Sequence, residues 1–231
     1  MYFLHSPKIW EEYPELVAGT LVVRGIHPEA DTGADIGALN LRVLERLGTA
    51  DEGQMPEIDA WRRVYSKMGL KPTQYRCAAE SLLRRYRKDR SLPRFHPLVD
   101  LCNALSMAFA IPIAVYDAAQ ITGGIEVRHA KGDEQHLSFS GEMEIPEAGE
   151  VIFADEERHA HSRRWCFRQS KKSVVTAQTE TALIVAEAHH QKAGDDVQAL
   201  ITMLAGQCAQ HWQAPEQSVI LTSGAPRLEW N

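Results

Sequence analysis

Apolar positions recur along this chain at two spacings, and the change from one to the other divides the sequence. In the first half, Ala34 to Leu47 and Ile58 to Met68 repeat apolar residues at helical intervals, the second ending before Gly69. Arg76 to Arg90 reads as a further helix, stopped before Leu92-Pro93. Pro97 to Phe109 is another, with its proline in the first turn, where a missing N–H costs nothing. One early strand, Thr20-Leu21-Val22-Val23-Arg24, precedes these helices. After Pro112 the pattern shifts to short β-type runs: Ile113–Tyr116, Ile125–Arg128, His136–Phe139, Val151–Phe153 and Leu183–Ala186. Gly123-Gly124, Gly132-Asp133, Gly141 and Gly149 punctuate them as turns. A helix from about Asp195 to Trp212 and a strand from Ser218 to Thr222 follow. Helices first, strands in the middle and a closing helix–strand pair predict an α+β fold: a central mixed, largely antiparallel sheet flanked by helices.

The length of 231 residues suits one unit, 1–231, in which N- and C-terminal extensions pack on a core. Apolar residues make up 44% of the chain and charged residues 24%, which is ordinary globular composition. The longest strongly apolar run, Ala104 to Val115, is too short to span a bilayer, and Ser106 and Pro112 break it. The first residues, Met1 to Lys8, lack a basic leader followed by an apolar stretch. A cytoplasmic protein without membrane contact is therefore expected. Cys77, Cys102, Cys166 and Cys208 have neither metal-site nor redox spacing and are expected as buried, reduced thiols.

The net charge of −6 argues against bulk, nonspecific nucleic-acid binding. It leaves room for local basic patches. Arg84, Arg85, Arg87, Lys88 and Arg90 crowd into seven residues with Arg94 close behind, and Arg163, Arg164, Arg168, Lys171 and Lys172 form a second group. Each patch is either a phosphate-binding surface or a solvated face.

Three constellations carry candidate chemistry. Asp100, Asn103 and Ser106 stand three residues apart and form one polar seam on an otherwise apolar helix. Burying such groups costs several kcal/mol unless partners satisfy them, so the seam braces a neighbouring loop or lines a polar pocket. Bracing is the expectation from chemistry alone. His159-Ala160-His161 places two imidazoles on one strand face, without a third ligand at a persuasive spacing, so no metal is expected. Next to it, strand alternation directs Arg164, Cys166 and Arg168 to one face and Arg163 and Trp165 to the other. Guanidinium forks suit phosphates, and an indole suits stacking on a base; an Arg–Glu surface network is the alternative. The third is Thr176 to Glu180, followed by a strand that ends at Glu187, a carboxylate able to hold a water or an amine. The phosphate-loop, nucleophile-elbow and His-Glu-x-x-His signatures are missing, and no cofactor is expected.

The order of short motifs resembles a known family. Pro97-Leu98-Val99-Asp100 with Asn103, Ile111-Pro112-Ile113-Ala114-Val115-Tyr116-Asp117, Ile121 to Arg128, Gly132-Asp133-Glu134, Phe139-Ser140-Gly141 and Gly149 to Asp155 follow one another as in the editing region of the phenylalanyl-tRNA synthetase beta subunit. The resemblance covers about residues 75–187, the tandem third and fourth modules of that subunit. The chain is similar to stand-alone proteins built on these two modules.

The resemblance implies a trans-acting deacylase that accepts a misattached aminoacyl group on the acceptor end of tRNA and hydrolyses its ester with a positioned water. Asn103 falls on the family's pocket asparagine and Glu187 on its pocket glutamate, with Thr179 as a third catalytic candidate. Asp100, Cys102, Ala114 and Ser162 would line the substrate pocket. Arg84, Arg85, Arg87, Arg163, Arg164, Trp165 and Arg168 would contact tRNA. The family's pocket histidine falls at Ala114 and its small Ala-Gly pair at Ser162-Arg163, which implies a specificity other than tyrosine on phenylalanine tRNA. A noncatalytic tRNA- or RNA-binding module, or an amino-acid-binding domain using Glu187 and Asp100, are the other readings. The oligomeric state is not legible.

Overall fold

The computed structural model describes residues 1–231. Twelve strands and six helices are arranged as two main sheets with helices between and around them. The chain begins with β1 (Tyr2–His5) and α1 (Pro7–Glu12), then β2 (Val17–Arg24) and four helices in succession: α2 (Gly33–Thr49), α3 (Pro56–Lys67), α4 (Ala78–Asp89) and α5 (Pro97–Phe109). The strand-rich part comprises β3 (Ile113–Asp117), β4 (Gly124–His129), β5 (His136–Leu137), β6 (Met143–Glu144), β7 (Val151–Ala154), β8 (Ala160–Arg163), β9 (Arg168–Gln169) and β10 (Thr181–Ala188). Last come α6 (Ala193–His211), β11 (Ser218–Leu221) and β12 (Arg227–Glu229).

The fold is α+β with largely antiparallel pairing, as expected; beside a six-stranded mixed sheet stand a four-stranded sheet and the two-stranded β5–β6 ribbon. One sheet runs β12-β1-β4-β7-β8-β9; only its β1–β4 pairing is parallel. The other runs β11-β2-β10-β3 and is antiparallel throughout. A single cluster of 55 buried residues draws on both sheets and on the helices, so they share one apolar core. Strand β10 is buried along nearly its whole length and paired on both edges, which is why it reads as a continuous apolar run interrupted only by Glu187. At Gly19 of β2, an added Cβ would lie 2.3 Å from Ile201 Cγ1 of α6, so helix and strand approach at a distance only glycine permits.

The expected helices form close to their sequence boundaries. In α5, Pro97 occupies the first turn and Nδ1 of His96 accepts the Leu98 N–H at 3.2 Å, capping the helix start. Four elements escape a reading of periodicity. Strand β1 turns only Phe3 and His5 inward, α1 has six residues, β6 has two and β12 has three, all too short to repeat a pattern. One expectation is corrected outright. Residues 164–167 are a turn between β8 and β9, with Arg164 at φ 47° and Trp165 at φ 59°, so strand alternation does not apply there. No helix is long and apolar enough to cross a membrane.

Candidate functional site

The polar seam of α5 does different work at each of its three positions. Ser106 Oγ donates to the Ile111 carbonyl at 2.6 Å, closing the helix end where Ala110 takes a left-handed φ of 54°. Asp100 Oδ1 accepts the backbone N–H of Phe95 at 3.0 Å and so shapes the loop entering the helix. The Asn103 side chain makes no hydrogen bond within the protein and lines a cavity of about 160 Å³. Bracing and lining thus both occur, divided along the seam.

This cavity lies between α2, α5 and the α4–α5 loop, and its apolar wall includes Tyr86, Leu92 and Met107. Its polar groups are Asp100, Asn103, Asn40, Ser91, Arg90 and Arg94. The Asn40 side-chain oxygen is buried there without a hydrogen-bond partner, an acceptor left open for an incoming donor. Burial raises the Asp100 carboxyl above its usual value, against the lowering effect of the Phe95 N–H and of the Arg94 charge.

The local sequence explains why cations stand at the mouth. Helix α4 ends at Arg90, which takes a left-handed φ of 57° as its C-cap, and Pro93 prevents the helix from resuming. Arg90 and Arg94 are therefore exposed on a short loop, where no carboxylate comes within 4.0 Å of either guanidinium. Beside them the Phe95 ring is 73% exposed. Residues Phe95 and Asn40 were not among the sequence candidates. An exposed phenylalanine cannot be told from a core one by residue type, and Asn40 lies on a separate helix.

The other predicted cations are mostly engaged. Arg87 is corrected from tRNA contact to structural anchor: it donates to the carbonyls of Leu47 and Ala50 and pairs with Glu52 at 2.5 Å. Arg163 is corrected in the same way. It is 5% exposed and forks onto Glu150 at 2.8 and 2.9 Å, with Glu144 as a further partner. Arg164 lies over the Tyr75 ring at 5.1 Å. Arg84, Arg85 and Arg168 stay about half exposed, with only loose carboxylate neighbours at 3.9, 3.7 and 3.6 Å. Trp165 cannot stack on a base, because its ring is fully buried.

The expected catalytic trio is not gathered around one cleft. Glu187 is 3% exposed; its Oε1 faces His5 Nε2 at 2.6 Å and accepts the Trp165 indole N–H at 3.0 Å. Thr179 is buried as well, donating to Asp117 Oδ2 at 2.9 Å while accepting the Thr176 N–H. Neither reaches the cavity that Asn103 lines. Both are structural because the strand and loop that carry them run through the core.

The pocket candidates Cys102 and Ser162 are also displaced. Cys102 is 2% exposed, and burial raises its thiol well above the usual value. Ser162 is 4% exposed, with Oγ 2.7 Å from the Trp165 carbonyl. Ala114 is half-buried on β3, opposite Val185. In the His-x-His pair, both ring nitrogens of His161 are occupied, by Ser173 at 2.9 Å and Asp155 at 3.1 Å. Burial alone would raise the Asp155 carboxyl, but bonds from His161 and from the N–H groups of His159 and Thr122 outweigh it, bringing it down to about 2.

A second, larger groove of about 420 Å³ is lined by Lys67, His129 and Arg164, but also by Glu12, Glu147 and Glu150. Its three carboxylates outnumber the two permanent cations, and the ammonium of Lys67 is already seated over the Tyr13 ring at 4.5 Å. The smaller cavity therefore has the stronger case for an anionic ligand with an amine-bearing group.

Comparison with known proteins agrees with the motif order. The family model of the B3/4 domain matches residues 60–198, more than half of the chain. A phenylalanine–tRNA ligase beta subunit from Cereibacter sphaeroides is 32% identical over 59 residues. That match covers 26% of this chain and 7% of the relative. An N-terminal fragment of the phenylalanyl-tRNA synthetase beta subunit from Pyrococcus horikoshii, solved as a crystal structure, aligns with a TM-score of 0.49 at 11% identity. The alignment covers 90% of this chain and 48% of that fragment. The chain thus spans under half of either relative.

Proposed function

The chain belongs to the B3/4 domain family, and from that premise we propose that it is a tRNA-directed protein that takes the aminoacylated acceptor end of tRNA at the α4–α5 cavity and hydrolyses its ester. The observation that carries this reading is the pairing of an open polar cavity with two uncommitted cations at its mouth, Arg90 and Arg94. The family's occurrence in a tRNA ligase subunit supplies the substrate class.

Each group has a chemical task. Arg90 and Arg94 contact the phosphates of the acceptor strand, joined by Arg84, Arg85 and Arg168 farther out. The exposed Phe95 ring stacks on the terminal base. Asp100 holds the α-ammonium of the aminoacyl group, and Asn103 donates its amide N–H to the oxygen that gains charge when water attacks the ester carbonyl. No covalent nucleophile enters this scheme. A volume of about 160 Å³ suits one amino-acid side chain. The protein acts in the cytoplasm under this reading, where its substrate is made.

A noncatalytic tRNA-binding role is the second reading, favoured by one observation: Glu187 and Thr179 are committed to buried structural bonds. Incubating the protein with a panel of mischarged tRNAs separates the two. Ester loss from at least one, faster than in buffer alone, supports the hydrolase. Retained, salt-sensitive binding with loss from none leaves the binding module. Absence of salt-sensitive binding removes both.

A further inference from the structure

Away from the α4–α5 cavity, three side chains from three elements meet with no apolar reason to do so. Glu57 lies in the first turn of α3, Asp196 in the first turn of α6, and His190 in the connection between β10 and α6. One ligand-capable atom of each lies within 4.8 Å of the other two. Glu57 and His190 are more than nine-tenths buried, at 8% and 7% exposure, whereas the Asp196 side chain is 37% exposed and opens the cluster to solvent.

Their hydrogen bonding is incomplete. Arg46 holds Glu57 Oε1 at 2.9 Å, which leaves Oε2 buried without a partner. Nε2 of His190 meets Asp196 Oδ2 at 2.7 Å, and Nδ1 is buried without a partner. A buried carboxylate oxygen and a buried ring nitrogen left unsatisfied are both unfavourable, and their presence together points to a ligand. Two carboxylates against the single Arg46 leave a net negative charge for a cation to neutralise.

We propose that Glu57, His190 and Asp196 form a site for a divalent first-row transition ion of the zinc type. One imidazole nitrogen and two carboxylate oxygens match that class, and an all-oxygen ion such as magnesium matches it poorly. Ligands about 2.1 Å from a shared ion stand at most roughly 4.2 Å apart, so small side-chain rotations close the trio. The His190–Asp196 hydrogen bond opens as the ion enters. Three protein ligands leave further positions on the ion to water, reached from the Asp196 side. In binding, the ion ties the starts of α3 and α6 to the end of β10.

The test uses the full chain, stripped with a chelator and titrated with zinc chloride. One equivalent binds to the native protein. His190→Ala weakens it about a hundredfold or more, given that loss of even an outer-shell partner costs a metal site up to that much. Asp196→Asn, partly exposed and isosteric, gives a similar loss in a protein whose circular dichroism is unchanged. X-ray absorption of the zinc-loaded native protein, which needs no variant, reports nitrogen and oxygen neighbours only. Sulfur in that shell would place the ion at a cysteine and overturn the proposal. So would equal zinc affinity in Asp196→Asn, absence of uptake by the native chain, or magnesium binding as tightly as zinc.

Discussion

The indole N–H of Trp165 ends on Glu187, 3.0 Å from an oxygen that His5 also meets at 2.6 Å. This carboxylate is the centre of a buried network, and its removal is expected to damage stability before it touches any reaction. Glu187→Ala should lower the unfolding free energy by about 3–5 kcal/mol, the usual penalty for orphaning a buried partner. Glu187→Gln keeps an acceptor for the indole and should cost less. Urea denaturation measures both; an unchanged midpoint in Glu187→Ala would refute the bracing role.

The arginines separate into two classes with opposite signatures. Arg163→Ala breaks a buried fork onto Glu150, so a loss of about 3–5 kcal/mol is expected. Arg90→Ala and Arg94→Ala should stay within about 0.5 kcal/mol of the native stability. Each should also lower the slope of log affinity for tRNA against log salt by about 1. Binding titrations at several salt concentrations, run beside denaturation curves, would expose a reversed pattern.

The Asn103 side chain makes no intraprotein hydrogen bond, so Asn103→Ala should leave the melting temperature in place. If the amide stabilises a developing oxyanion, the deacylation rate falls about 10²–10³-fold. A variant with full activity removes Asn103 from the chemistry.

Phe95→Ala tests the stacking role alone. The ring is 73% exposed, so stability should not fall. Affinity for tRNA with an intact terminal base should drop by about 1–3 kcal/mol. Affinity for tRNA shortened by that base should not respond to the substitution.

Acid stability carries the mark of Asp155. Its carboxyl is lowered from 3.8 to about 2 in the folded chain, so the folded state favours the ionised form. The resulting stabilisation, about 2–3 kcal/mol, is complete above the unfolded value and disappears as pH falls through about 2. The stability gap between the native protein and Asp155→Asn should therefore hold between pH 7 and 5 and shrink below 4. A gap that widens on acidification would contradict the sign.

What could be read from the sequence was the local part of the fold. Helix α5 announces itself through Pro97, its apolar faces and the three-residue seam, and β10 through an unbroken apolar run. Both depend on neighbours close in the chain. The fate of an arginine does not. Arg163 and Arg168 sit five residues apart in similar surroundings, yet only the first finds Glu150 across a strand pairing. Arg87 meets Glu52 through a helix packing that no spacing encodes. Glu187 was legible as a special carboxylate, but its burial under Trp165 depends on a turn with two left-handed residues that strand alternation cannot foresee. Asn103 was legible because its seam is helical, while the cavity in front of it needs α2.

Strand β1 pairs with β4 on one edge and β12 on the other, with Phe3 in register with both Ile125 and Leu228. Its partners are thus more than 120 and 220 residues away along the chain. Such closures are slow, because the chain gives up its loop entropy before the contacts form. During synthesis β1 emerges before both partners, and its edges stay unpaired until Gly124–His129 and then Arg227–Glu229 have followed. A nascent or truncated chain lacking the last strand offers β1 to other copies, so its hazard is edge-to-edge aggregation.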